Sequence, residues 1–284
     1  MSTVAVTGSS GKLGQAVVEE LSTHDFQVVG IDRAPHRDPS LSHITADLSD
    51  YGQAVGVLAT VDDRHSGIDA VVHLAAIPGP GMAPNNVIFS NNLISTFNVF
   101  TAAISVGITN IVWASSETLL GLPFETPPPY LPVDEEYPAR PETAYAMAKH
   151  LEETMAAELC RWHPDLKMIG LRFSNVMTVD DYAKFPSFDV DPGLRSWNLW
   201  SYIDRRDAAQ AVRKALVHEA RGLDVFIIAN ADSVMSRSTA DLAAERFPAV
   251  PVTKELGVNE TLLSIDKARR VLGYEPAHTW RDHI

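Results

Sequence analysis

Short apolar runs alternating with longer segments of helical spacing restrict the first 170 or so residues to a layered α/β architecture. Runs rich in β-branched residues occur at 3–7, 27–31, 70–74, 110–114 and 168–171. Between them, residues 12–23, 53–60, 86–106 and 143–162 carry apolar side chains at helical intervals. Continuous apolar runs separated by helices indicate parallel strands covered on both faces. Right-handed crossovers wind such strands into a doubly wound sheet.

After Arg172 the pattern changes. Residues 173–200 show little periodicity but many aromatic groups: Phe173, Tyr182, Phe185, Phe188, Trp197 and Trp200. A strand near 201–203 and a helix over 205–218 follow, with Asp204 as N-cap. A strand at 224–229 and helices at 238–246 and 264–272 complete the chain, the last ended by Gly273. The chain therefore leaves the sheet and returns to it. We expect a dinucleotide domain at 1–172 with 201–230 rejoining its sheet, and a smaller interleaved C-terminal substrate lobe from 173–200 and 231–284. The proline-rich stretch 123–141 reads as a long surface loop across the mouth of a cleft.

A net charge of −13 argues against a nucleic-acid partner, because phosphate backbones are bound by clustered Lys and Arg. The single cysteine, Cys160, excludes an intrachain disulfide and reads as a small buried hydrophobe. No basic, apolar leader is evident, and no run approaches the ~18 apolar residues of a membrane span. These features point to the cytoplasm, without a membrane partner. No metal site is read from the sequence.

Between the first strand and first helix lies Thr7-Gly8-Ser9-Ser10-Gly11-Lys12-Leu13-Gly14. Glycines there permit a tight turn and close approach of backbone to a pyrophosphate, whose charge meets the helix N-terminus. Gly8, Ser10, Gly11, Lys12, Leu13 and Gly14 are the expected contacts, although Lys12 would be equally ordinary as an exposed first-turn lysine. Asp32 ends the second strand 18 positions beyond Gly14. A carboxylate there accepts hydrogen bonds from the adenosine ribose and repels a 2′-phosphate, favouring NAD over NADP. Arg33 beside it works against that preference.

Tyr145 and Lys149 stand four apart on one helix face. A cation beside tyrosine stabilises the phenolate, moving a group that ionises near ~10 toward use as a general base. Ser115-Ser116 follow the strand at 110–114, at the carboxyl end where ligands bind in an open parallel sheet. A hydroxyl there can hold a substrate oxygen while tyrosine exchanges its proton. The constellation suits hydride transfer at a carbinol carbon.

With these motifs the sequence resembles the extended short-chain dehydrogenase/reductase family, the NAD-dependent epimerase/dehydratase group, which includes uronate dehydrogenases. The resemblance rests on Thr-Gly-x-x-Gly-x-x-Gly at 7–14, Asp47-Leu48 after a third strand and His73-Leu74-Ala75-Ala76 after a fourth. It continues through Asn92 before Thr96, Ser115-Ser116 ahead of Gly121, Tyr145 with Lys149, Leu171-Arg172-Phe173-Ser174-Asn175, and Lys267-Ala268…Leu272-Gly273-Tyr274-x-Pro276. It implies a Rossmann-type sheet, with Asp47 and Leu48 at the adenine and Leu74, Ala75 and Ala76 along the cofactor path. It further implies Lys149 at the nicotinamide ribose, and Asn92, grouped with the cofactor contacts, supporting the active-site helix or a proton relay. Ser116, five before Gly121, matches the catalytic serine better than Ser115, and Asn175 would face substrate. His73 is expected to be a strand histidine satisfied within the sheet.

Two departures bear on the reaction. Family dehydratases carry Asp-Glu after the catalytic hydroxyl residue, whereas Glu117-Thr118 follow here, with Thr118 compatible with an epimerase. Only 28 residues separate Asn175 from Asp204, which limits room for a nucleotide. Ser116, Glu117, Thr118, Asn175 and Arg195 are the expected substrate contacts, with Arg195 suited to a sugar carboxylate. Trp197 and Trp200 read either as sugar-stacking faces or as packing between lobes. The leading expectation is NAD-dependent oxidation of a small sugar or sugar acid. The alternatives are a redox-neutral epimerase and a non-catalytic dinucleotide-sensing protein, the latter disfavoured by the intact tyrosine–lysine pair. A homodimer through the helices at 86–106 and 143–162 is implied by the resemblance.

Overall fold

The computed structural model describes residues 1–59 and 67–283. Its strands are β1 (Ser2–Thr7), β2 (Phe26–Asp32), β3 (Ser42–Thr45), β4 (Ala70–His73), β5 (Asn110–Ser116), β6 (Lys167–Phe173), β7 (Val176–Met177), β8 (Ile203–Asp204) and β9 (Gly222–Ile228). Its α-helices are α1 (Lys12–Ser22), α2 (Tyr51–Ala59), α3 (Asn85–Ser105), α4 (Ala144–Trp162), α5 (Val179–Tyr182), α6 (Arg205–Val217), α7 (Thr239–Arg246) and α8 (Asp266–Leu272). Seven strands form one parallel sheet in the order β3-β2-β1-β4-β5-β6-β9.

The strand pattern explains the two layers. Val4 and Val6 of β1 face a core shared with α1 and α6, while Ala5 between them faces α2, α3 and α4. Both faces are covered, so these strands need apolar residues at every position. Helix starts follow their side-chain caps: Thr143 accepts from the Ala146 N–H, Asp204 from Arg206 and Ser238 from Asp241. Gly273 ends α8 in the left-handed region at φ 64°. Expected and observed bounds differ by one or two residues, as helix ends fray. Thr60, the expected end of α2, lies outside the described residues.

Four expectations change. The strand expected at 201–203 is β8, two residues long, and it pairs with β7 rather than the sheet. It is α6 and β9 that bring the chain back, with β9 against β6. Strand β3 is half-buried with only one apolar residue in four, too weak an apolar pattern to stand out as a run.

The proline-rich stretch does not cross the cleft. Leu131 and Val133 are fully buried and bridge to Val252 and Leu263. Glu135 accepts the Ile227 N–H at 2.8 Å, satisfying part of the outer edge of β9. The apolar residues among the prolines draw the stretch onto the C-terminal segments. Helix α3 is also long and apolar enough to cross a membrane, with mean hydropathy 1.3. Half of that window is buried within the protein, where α3 packs between α2 and α4.

The sheet leaves little room around Trp113 of β5. It is fully buried, and a Cβ placed on the neighbouring Gly170 of β6 would lie 2.8 Å from its ring. Gly170→Ala should therefore lower stability by about 1–3 kcal/mol, read as a fall in the urea unfolding midpoint.

Candidate active site

A cavity of about 850 Å³ opens at the carboxyl ends of the strands, where strand order reverses between β1 and β4. Its first half fits a dinucleotide. Gly8 has φ 68°, and a Cβ there would stand 2.7 Å from the Ala75 nitrogen. A Cβ on Gly14 would stand 2.0 Å from the Gly8 carbonyl oxygen. Glycine at both positions lets turn, helix and the loop after β4 converge. Helix α1 begins without a side-chain cap, leaving its first N–H groups for an anion.

Gly8, Ser10, Gly11, Lys12, Leu13, Gly14, Asp32, Leu48, Leu74, Ala75 and Ala76 all line this half. The Asp32 carboxylate accepts the Ser10 N–H at 3.0 Å and the Ala34 N–H at 3.1 Å, which holds it at the strand end. Arg33 also lines the cleft but pairs with Asp47. Asp47 lies outside the lining. Its carboxylate accepts from Ser49 and Arg33, which hold it down to about 2, and Leu48 and Ser49 face the cavity instead. Asn92 is fully buried and exchanges two hydrogen bonds with the Ile77 backbone, at 2.8 and 3.0 Å. It pins the loop after β4 to α3 without reaching the cavity.

In the second half, Ser115, Ser116, Tyr145 and Lys149 meet. Ser115 donates to Glu153 at 2.6 Å, and Arg172 holds the same carboxylate at 2.9 and 2.8 Å. Ser116 instead accepts from the Thr118 N–H at 3.2 Å and hydroxyl at 3.0 Å. Its own proton is thereby free to point elsewhere, and the Ser116 hydroxyl supports ionisation of Tyr145. The Lys149 ammonium donates to the Ala114 carbonyl at 2.8 Å and to Glu152 at 2.9 Å, leaving one N–H.

Burial raises Tyr145, Lys149 counters it, and Glu152 adds to the rise. Burial alone would lower Lys149, but Glu152 and the neighbouring Tyr145 and Glu153 outweigh it. Burial also lowers His73 to about 3, with Lys149 acting in the same direction. That histidine is neutral between Thr7 at 2.8 Å and Thr96 at 3.1 Å.

Glu117, Thr118, Phe173, Ser174, Asn175, Val176 and Trp197 close the far end. Glu117 is buried, accepting from Ser174 at 2.6 Å and Asn198 at 3.2 Å, and burial lifts it to about 7. Arg195 does not line the cavity. It is buried against the rings of Trp197 and Phe188 and donates to the Ser201 carbonyl at 2.8 Å. Trp200 is wholly buried and packs on Phe247, whereas Trp197 reaches the cleft.

A family profile described as the NAD dependent epimerase/dehydratase family matches residues 4–191. The chain belongs to that family. Its relatives include an L-arabinose 1-dehydrogenase (NAD(P)(+)) of Haloferax volcanii, 27% identical over 76% of this chain and 83% of the relative. They also include an NAD-dependent glucose-6-phosphate dehydrogenase of the same organism, 30% identical over 96% of this chain and 92% of the relative. Among solved structures, a UDP-galactose 4-epimerase superposes with TM-score 0.72 at 25% identity, over 99% of this chain and 95% of that one. As an epimerase/dehydratase family member, the protein is an enzyme with NAD as its cofactor.

Sequence reasoning missed Glu152. Its signal was present, because a residue three beyond Lys149 lies on the same helix face. Its carboxylate is fully buried beside Lys149, and the groups facing it are Lys149, Glu153 and the Thr96 hydroxyl. Removing its charge takes away a direct opposition to the Tyr145 phenolate and also one support of the Lys149 charge. With Lys149 still charged through its remaining contacts, Glu152→Gln should move the rising, low-pH limb of the kcat/KM profile for oxidation to lower pH, because the phenolate then forms at lower pH. A limb that stays in place would show that Glu152 does not govern Tyr145, and one that moves upward would show that its main effect is to hold the charge on Lys149.

Proposed function

We propose that this epimerase/dehydratase family member is a dehydrogenase that oxidises a small sugar at a carbinol carbon with NAD and releases NADH. The observation that carries this is the closed far end of the cleft. Beyond Asn175 the chain folds into α5, short 3-10 turns and β8, and the buried rings of Tyr182, Phe185, Trp200 and Tyr202 fill that space. Among the described residues the cavity lining at this end reaches Val176 and Trp197, which leaves little room for a nucleotide attached to the sugar. The two dehydrogenase relatives are consistent with this assignment.

The bound cofactor supplies the acceptor for the hydride leaving the substrate carbon. Ser116, with two lone-pair contacts taken by Thr118, turns its hydroxyl proton toward the substrate oxygen or Tyr145. Tyr145 takes the proton of the substrate hydroxyl, and the Lys149 charge stabilises the phenolate that does so. The remaining Lys149 N–H is available to a ribose hydroxyl. Asp32 would accept hydrogen bonds from the adenosine ribose and would favour NAD over NADP, with Arg33 paired to Asp47.

The substrate belongs to small-molecule carbohydrates, and a cytoplasmic setting belongs to the same proposal. So does a homodimer. Val87, Ile94 and Phe97 on α3 and Met147 and Leu151 on α4 are large apolar groups left exposed on two helices that pack together. Such a patch suits a second copy related by a twofold axis. Phe97→Asp should convert a dimer to a monomer in light scattering with the thermal fold retained.

Mixing enzyme, NAD and a sugar substrate should form NADH in step with sugar consumed. An epimerase would show sugar conversion without net NADH. Tyr145→Phe should lower kcat by about 10²–10⁴-fold with NAD affinity unchanged in titration calorimetry.

A further inference from the structure

We propose that the substrate is an uncharged sugar, and that the buried carboxyl of Glu117 excludes sugars bearing a carboxylate or phosphate. This rests on the dehydrogenase assignment above and names the substrate class of the same cleft. Five charged residues line the cavity: Lys12, Asp32, Arg33, Glu117 and Lys149. Each of the three cations already has an anionic partner: Lys12 with Asp181 at 3.0 Å, Arg33 with Asp47, and Lys149 with Glu152 at 2.9 Å. Lys12 and Arg33 also sit at the dinucleotide end.

Among the described residues the cavity lining at the substrate end therefore offers no unpaired cation, and it does offer a carboxyl. Glu117 directly follows Ser116, so its position is set beside the reacting oxygen. Ser174 at the end of β6 and Asn198 from the segment beyond Asn175 hold it from two sides. Arg195 offsets its charge from the protein side and is not among the cleft-lining residues. An anionic substrate would meet Glu117 without an unpaired guanidinium or ammonium in the lining to compensate, and juxtaposed like charges are a strong means of rejecting a wrong partner. Sugar hydroxyls, by contrast, can donate to the Glu117 carboxylate, while Trp197 supplies an apolar face.

The charge on Glu117 varies within the working range. Burial sets it at about 7 against the hydrogen bonds of Ser174, Asn198 and the Asn175 backbone and the nearby Arg195. Tyr145 also feels its charge. Rejection of anions should strengthen as pH rises through neutrality. The ratio of kcat/KM for a neutral sugar and its uronate isolates this effect, because the uronate stays ionised across this range and Tyr145 and Lys149 act on both members of the pair.

The test compares NADH formation by the wild-type enzyme with L-arabinose, D-glucose and D-galactose against D-glucuronate, D-galacturonate and D-glucose 6-phosphate. Titration calorimetry of the same sugars into the NAD-loaded protein gives a readout independent of turnover. Neutral sugars should exceed their anionic counterparts by about 100-fold or more in kcat/KM and should bind more tightly. The ratio should grow between about pH 6 and about pH 8. Glu117→Gln, checked for folding by thermal melt, should narrow it by about 10-fold or more. A uronate or the sugar phosphate turned over in preference to its neutral counterpart overturns the inference while leaving the dehydrogenase assignment standing. NADH from none of the sugars overturns that assignment, and binding then decides the inference: neutral sugars that bind no better than the anions overturn it. A ratio unmoved by pH and by Glu117→Gln removes Glu117 from the role.

Discussion

The Lys149 ammonium ties the middle of α4 to the end of β5. A buried ammonium is costly unless its charge and hydrogen bonds are met. The Glu152 carboxylate, on α4 itself, and the Ala114 carbonyl meet them, and the carbonyl comes within reach only when α4 lies across the carboxyl end of the sheet. Tyr145, one turn earlier, is thereby set beside Ser116. A second buried pair, Arg172 with Glu153, fastens the same helix to β6 and takes up the Ser115 hydroxyl. Lys149 and Glu153 on α4 thus clamp the neighbouring strands β5 and β6, and the second half of the cleft is assembled between these contacts.

This arrangement has an electrostatic consequence. The cation that favours the Tyr145 phenolate is itself partly offset by Glu152, so the base is set by a balance of three groups in a dry environment. Fields act strongly in such surroundings because little water screens them. Glu117 at the far end extends the same logic to the substrate, joining strand β5 to the irregular segment through Asn198. Chemistry and selection are therefore connected through a few buried charges instead of a broad polar surface.

Much of the fold was legible because its signals are local. Strand and helix periodicity, the glycines at 8, 11 and 14, and the spacing of Tyr145 and Lys149 each depend on neighbours within a turn or a strand. The choice of Ser116 over Ser115 came from family resemblance, while the contact of Ser115 with Glu153 is a tertiary feature. Other assignments depended on distant partners and went differently. Asp47 is turned by Arg33 and Ser49 away from the cavity, Asn92 serves the loop at Ile77, and Arg195 is covered by Trp197. The stretch 123–141 looked like an exposed loop because its prolines dominate its composition. Its few apolar residues find their partners more than a hundred positions later.

By itself the sequence determined a parallel doubly wound sheet, a dinucleotide turn and a Ser–Tyr–Lys group at the strand ends. These follow from backbone geometry and side-chain spacing, which chain neighbours largely dictate. Only the tertiary structure decided which charges are paired and which face the cleft. Pairing depends on where separate elements come to rest, and in a buried site it sets both the strength of a charge and the ligand it will accept. Glu152 and Arg195 are the clearest instances: one is ordinary in sequence and sits against Lys149, the other looked poised for substrate and is covered.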